Sequence, residues 1–307
     1  MKGGNRKFRY DAVQHIYQIS KDFGVIFYDD IDRLVFFTVS SVYAQKYGIV
    51  VLAMDLMFTH FHESVRSINK KQMNKYMQDK TSVFARLYNA AYDRKGALFR
   101  HSYGSTSKIS DKDIRSNLAY VSNNAVEKKL CTRAEEDRWS FLAYYHNNHP
   151  FSQEIDRHSI SHRLRMAIKK VDEMQLLNKY LGYGLLWTMF KHLNDTEKEE
   201  LTDYILTKYM FIGFEEAIQY FGSYETMLTA LYSNTGNEYK IKEKKDGKSD
   251  VPYRQMTALC RSNRLIGPGM SPFRLPEDKK IDLINEILSS TDADKEKIEK
   301  FLHMELD

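Results

Sequence analysis

The stretch "MDLMFTHFHES", residues 54–64, sets two histidines, His60 and His62, on either side of one phenylalanine. The run before and into it, "IVVLAMDLM" (49–57), has the β-branched and aliphatic content and the length of a buried strand. If strand geometry resumes at His60, successive side chains alternate faces. Both imidazoles then point one way and Phe61 points the other, into a core. That makes a two-ligand platform for a metal ion. Ten histidines in 307 residues also produce close pairs by chance, so the rest of the chain has to supply the third ligand and the chemistry.

Working outward, residues 10–20 ("YDAVQHIYQIS") read as a strand and residues 29–46 as a helix, with Ile31, Leu34, Val35, Val39 and Val42 near a 3.6-residue period and Gly48 as its stop. After the 49–57 strand, Phe58-Thr59 makes a turn, and a second strand carries the histidines through about Arg66. A long helix is predicted over 69–92, Gly96 breaks it, and "ALFRHSY" (97–103) reads as another strand. The order strand, helix, strand, strand, helix, strand predicts an α+β fold, ferredoxin-like, with an antiparallel sheet and helices on one face. The next segment, "SDKDIRSNLAYVSNNAV", opens with Ser110 as N-cap and Asp113 three residues on. At about 100° per residue, Ile114, Leu118 and Val121 form its buried stripe, and Tyr120 and Asn124 sit together beside that stripe.

Past residue 150 the pattern turns helical, with helices predicted over 157–177, 179–193, 196–210 and 214–232. A polar insert, 233–250, reads as an exposed loop. Pro268, Pro272 and Pro276 punctuate a linker before a final helical pair over about 276–304. The expected division is a domain of residues 1–150 and a helical domain of residues 151–307.

No run approaches about 18 consecutive apolar residues, and no apolar segment follows the basic start "MKGGNRKFRYD", so neither a membrane span nor a secretory signal is expected. Cys131 and Cys260 are far apart and in no CxxC arrangement, which argues against a cysteine zinc site and suits a reducing cytoplasm. Residues 1–150 carry 23 Lys and Arg against 15 Asp and Glu, whereas residues 151–307 carry 23 against 26. The basic excess lies in the half with the histidine pair. Between Ser64 and Lys108 ten bases face only Asp79 and Asp93, a lopsidedness that favours an anionic partner such as nucleic acid over a solvated helix face.

The ordered motifs "GVIFYDD", "YGIVVLAMDLMFTHFHESV", "FARLYNAAYDRKGALFRHSY", "DIRSNLAYVSNNAV" and "WSFLAY" resemble the REP-associated tyrosine transposases, members of the single-tyrosine HUH transposase family, over about residues 8–145. The resemblance implies that His60 and His62 are metal ligands, that Tyr120 is the nucleophile, and that Asn124 is the third, polar ligand. It also implies Mg²⁺ or Mn²⁺ as the metal and single-stranded DNA as the substrate, folded as a hairpin of a palindromic repeat. The chain departs from the family pattern at Phe58, Thr59, Glu63 and Ala125, where Pro, Asn, a hydrophobic residue and Pro are usual.

The expected activity is a metal-dependent DNA endonuclease and strand transferase working through a 5′-phosphotyrosine. Arg66, Lys70, Lys71, Lys75 and Arg100 are the candidate phosphate contacts, and a homodimer stands among the expected assemblies. Two rivals share these residues: a nucleic-acid-binding descendant without catalysis, and a hydrolase in which the histidine pair activates a metal-bound water. His101, on the expected strand over 97–103, reads more readily as a surface or core histidine, and Trp139 and Tyr144 as packing residues.

Overall fold

The computed structural model describes residues 8–10, 12–67, 69–100, 102–156, 158–233 and 249–306. Its first half is built from β1 (Val13–Ile19), α1 (Asp30–Tyr47), β2 (Val50–Leu56), β3 (His60–Arg66), α2 (Lys70–Ala91), β4 (Gly104–Lys108) and α3 (Asp111–Glu127). The four strands form one sheet in the order β2-β3-β1-β4, and every pairing is antiparallel. β1 and β2 flank β3, with α1 crossing between them, which is the split βαβ arrangement of the ferredoxin-like class.

Local sequence explains the helix limits. Asp29 accepts the Asp32 N–H while the Asp32 carboxylate takes the Asp29 N–H, a capping box that starts α1, and Gly48 at φ 57° ends it in the left-handed conformation. Asn69 caps α2 through the Gln72 N–H, and Ser110 caps α3 through the Asp113 N–H.

The expected strand over 97–103 is displaced. The fourth strand is Gly104–Lys108, and among the described residues of 97–103 a single bridge joins Phe99 to Ser20. Leu98 and Tyr103 are buried by packing rather than by ladder pairing. The glycine at the head of β4 is required because the Tyr17 ring crosses it: a Cβ on Gly104 would lie 2.2 Å from Tyr17 Cζ.

The expectation of helices on one face holds for α1 and α2. Ile16, Met54, Phe61 and Val65 of the sheet join Phe36, Phe37, Met77 and Phe84 of these helices in one core, with the Phe36 and Phe61 rings 4.7 Å apart. α3 instead lies across the opposite face, packing Leu118 and Val121 against Val13 and Leu52.

The later half adds α4 (His162–Leu176), α5 (Tyr183–Phe190), α6 (Asp195–Lys208), α7 (Phe214–Gln219), α8 (Tyr224–Ser233), α9 (Val251–Ser262), α10 (Glu277–Ser290) and α11 (Lys295–Leu302). The expected single helix over 214–232 is two, broken at Gly222, whose φ of 86° no helix accommodates. α9 was not anticipated, and most of the polar insert, with Arg157, lies outside the described residues.

α4, α5 and α6 extend the α1/α2 core through Leu164, Val171, Leu186, Leu201 and Ile205. α7 and α8 join the α3 face through Ala217, Ile218, Met227 and Leu231. α9, α10 and α11 close over Val25, Tyr28 and Phe58. The outer edge of β2 is covered as well, since Gly213 N–H donates to Val51 O at 2.8 Å. No helix among the described residues is long and apolar enough to cross a membrane.

Glu63 points into the α1/α2 core, where it is fully buried. Lys80 of α2, also fully buried, donates to Glu63 Oε1 at 2.6 Å, and the Tyr76 hydroxyl donates to the same oxygen at 3.1 Å. The ammonium also lies 4.2 Å from the Tyr76 ring centroid and 4.7 Å from that of Phe61. Burial pushes the Lys80 ammonium down to about 8 against the pull of Glu63. Lys80→Met, which strands the carboxylate, is expected to destabilise the fold by about 3–5 kcal/mol in denaturant unfolding, whereas Glu63→Leu with Lys80→Met should return it to near the parent. A single mutant within about 0.5 kcal/mol of the parent would contradict a paired charge at this position.

Candidate active site

The pleat of β3 places His60, His62 and Ser64 on the face under α3. Register brings further side chains to that face: Tyr17 of β1 and Asp55 of β2 lie directly opposite His62, and His15 lies opposite Ser64. α3 runs over them, fixed at one point by Asn117 Nδ2, which donates to Ser64 Oγ at 2.5 Å. One turn further along α3, Tyr120 meets the histidines.

The His60 and His62 rings stand 5.0 Å apart and nearly perpendicular, and the Tyr120 ring stands 5.5 Å from His62 at 88°. His15 joins them, 5.5 Å from Tyr120, with its Nε2 3.3 Å from His62 Nδ1. His60 Nδ1 is engaged by Thr59 Oγ1 at 2.9 Å. Tyr120, His62 and His15 are buried, and half-buried His60 forms the more open end.

Asn124 is buried one turn beyond Tyr120, beside Asp55. The Asn124 Nδ2 and both Asp55 carboxylate oxygens are buried without a hydrogen-bond partner. Among the described residues no group of three or more His, Cys, Asp or Glu side chains is placed to hold a metal ion. A cation at this face would rest on the two imidazoles and the Asn124 amide, a neutral donor set that suits a Lewis-acidic ion. The buried, unpartnered Asp55 carboxylate beside this donor set suits a nearby cation, whereas the Asn124 amide could ligate one only through its oxygen.

The candidate phosphate contacts divide between the two ends of the sheet. Arg66 lies at the far end of β3, about 20 Å from His60 at roughly 3.3 Å per residue. It is held by Glu216 of α7 in a bidentate ion pair at 2.6 and 2.5 Å. Lys70, Lys71 and Lys75 are exposed on the first two turns of α2, at that same end. Arg100 is exposed near the histidines, because its N–H donates to Ile19 O and Ile19 pairs with His60. His101 lies outside the described residues. Trp139 and Tyr144 are buried, and the Tyr144 hydroxyl donates to Asp203 at 2.6 Å.

The chain's departures from the family pattern have physical partners here. Thr59 orients His60, and Glu63 is neutralised by Lys80. Ala125 lets α3 continue to Glu127, where a proline would remove a helix hydrogen bond. Phe58 packs 5.5 Å from the Tyr253 ring of α9, under the Arg33 guanidinium at 5.1 Å.

His15, Tyr17 and Asp55 were not singled out in the sequence. Their signal was positional: His15 and Tyr17 alternate on one strand, and Asp55 is the one acid in an apolar strand.

Phe58→Ala is expected to cost about 3–5 kcal/mol and to raise amide exchange in α9–α11 before that in the sheet. Unchanged protection there would place the anchor of those helices elsewhere.

The family model for IS200-like transposases matches residues 9–124, a span that holds His60, His62, Tyr120 and, as its last residue, Asn124. No curated protein and no solved structure matches the chain. Over residues 9–124 the chain is similar to the IS200-like transposases.

Proposed function

We propose that the protein is a metal-dependent single-stranded DNA endonuclease and strand transferase with Tyr120 as its nucleophile. The observation that carries this reading is the placing of the Tyr120 ring against His62 on the sheet face opposite the hydrophobic core. A phenol and two imidazoles from distant parts of the chain converge there, inside the stretch that matches the transposase family.

In the proposed reaction Tyr120 Oη attacks a backbone phosphorus and the bond to the 3′ oxygen breaks. The DNA 5′ end is left as a phosphotyrosine, and the proton the phenol gives up balances the one the departing 3′ oxygen takes to become a hydroxyl. The exchange conserves phosphodiester bond energy, so a later 3′-hydroxyl can reverse it without ATP. Mg²⁺ or Mn²⁺ held by His60, His62 and Asn124 would neutralise charge at the scissile phosphate. Thr59 and His15 hold the imidazoles in orientation, and burial under α3 limits water around the phenol. Arg100 suits the strand at the site, while the bases at the start of α2 suit a hairpin stem reaching the far end of the sheet.

Tyr120→Phe is expected to abolish the covalent protein–DNA adduct on denaturing gels while leaving affinity for a single-stranded oligonucleotide within a few-fold. Tyr17→Phe, the other phenol on this face, should keep the adduct. Adduct in Tyr120→Phe would remove Tyr120 from the mechanism, and cleavage without adduct would favour a metal-activated water. Binding without cleavage in the parent would favour a descendant that only binds.

In calorimetric titration with Mn²⁺, His60→Ala and His62→Ala should each weaken one site strongly and Asn124→Ala less, because water replaces an amide ligand readily. Single-stranded and hairpin oligonucleotides should be cut and matched duplex spared. Affinity should fall steeply with salt, the slope reporting the number of neutralised phosphates. Equal cutting of duplex, or binding indifferent to salt, would contradict the assignment.

A further inference from the structure

Asp55 is the one charged side chain in β2, among Val51, Leu52, Ala53, Met54 and Leu56. It is fully buried, and register sets it directly opposite His62 on the face under α3. A carboxylate in such a place normally has an ion-pair or hydrogen-bond partner. Asp55 has no ion pair among the described residues, and neither of its oxygens meets a donor in good hydrogen-bond geometry, although the Asn124 amide approaches closely enough to favour its charge. Arg33, a nearby cation, spends its Nη1 on Asp29 O at 3.2 Å. The neighbouring acids Asp137 and Asp250, with burial, work against the Asp55 charge, while Arg33 and the Asn124 amide favour it.

The unsatisfied acceptor therefore sits beside an unsatisfied donor, Asn124 Nδ2, on the helix that crosses β2. An amide has two ends, and only its oxygen ligates a cation. Asp55 is the group beside the Asn124 amide that can choose which of its two ends is presented to the sheet.

We infer that Asp55 is a positioning residue: its carboxylate accepts the Asn124 Nδ2–H, fixes the flip of that amide, and turns Oδ1 towards the imidazoles. The inference rests on the reading of Asn124 as a metal-binding residue. It assigns to β2 a second role besides pairing, which is to hold an α3 side chain that no backbone contact orients.

The test is Mn²⁺ affinity of the full chain, measured by calorimetry with a thermal melt of each variant. Asp55→Leu should weaken Mn²⁺ binding at least about tenfold, the scale seen when a residue orienting a ligand is lost. Asp55→Asn, whose Oδ1 accepts the same hydrogen bond, should recover most of that loss, which a purely structural charge would not predict. In an Asn124→Ala background Asp55→Leu should add nothing, since the two act through one amide. Where leucine is not accommodated, Asp55→Ser, too short to reach Asn124, carries the same comparison. Parent-like affinity in Asp55→Leu, or a full additional loss in the Asn124→Ala background, would overturn the inference alone, provided that His60→Ala still abolishes binding. Mn²⁺ binding that is absent in the parent, or indifferent to His60→Ala, would overturn the metal reading and this inference with it.

Discussion

The two-residue period of β3 is the constraint on which the rest depends. Along seven residues it sends Phe61, Glu63 and Val65 into the α1/α2 core and His60, His62 and Ser64 to the face under α3. A slip of one residue would put both histidines among phenylalanines and bring Glu63 out beside Tyr120. The register is secured from both sides, by β1 and β2 pairing and by the Glu63–Lys80 ion pair, which has a partner on only one face of the sheet. That buried pair is a specificity device more than a source of stability, because desolvation offsets much of its attraction.

The helical half of the chain is coupled to the candidate site at several points. Phe58, two residues before His60, is packed by α9, so the turn that feeds the histidine strand is held by a distant part of the chain. The β2 edge, whose neighbour is β3, is covered by residues 212 and 213. α8 reaches α3 next to Asn124, since Asn123 Nδ2 donates to Leu231 O at 2.9 Å. Arg66 is held by α7. The additional helices thus brace the strand and the helix that carry the candidate site. They also explain why a residue other than proline stands at position 58: an aromatic ring there has a socket to fill.

Much of the fold was legible in the sequence because its signals are local. Asp29, Asn69 and Ser110 cap helices through their own side chains, Gly48 stops one by its φ, an aliphatic run marks β2 and alternation marks β3. What misled was also local in appearance. The segment 97–103 is apolar enough to read as a strand, yet Leu98 and Tyr103 are buried by packing, and the edge strand is the polar Gly104–Lys108, defined by its backbone pairing with β1. No hydrophobic periodicity announces a polar strand whose partner lies far away in the chain.

The sequence by itself determined two spacings: two histidines at strand spacing, and a tyrosine and an asparagine one helical turn apart. Such spacings follow from covalent geometry and need no partner to be read. Only the tertiary structure decided what those residues meet. It brought His15 to His62 across 47 positions of sequence, set Asp55 beside Asn124, gave Lys80 to Glu63, and divided the basic residues between the two ends of the sheet. These are pairings between segments remote in the chain, and strand register and helix docking, not local propensity, determine them.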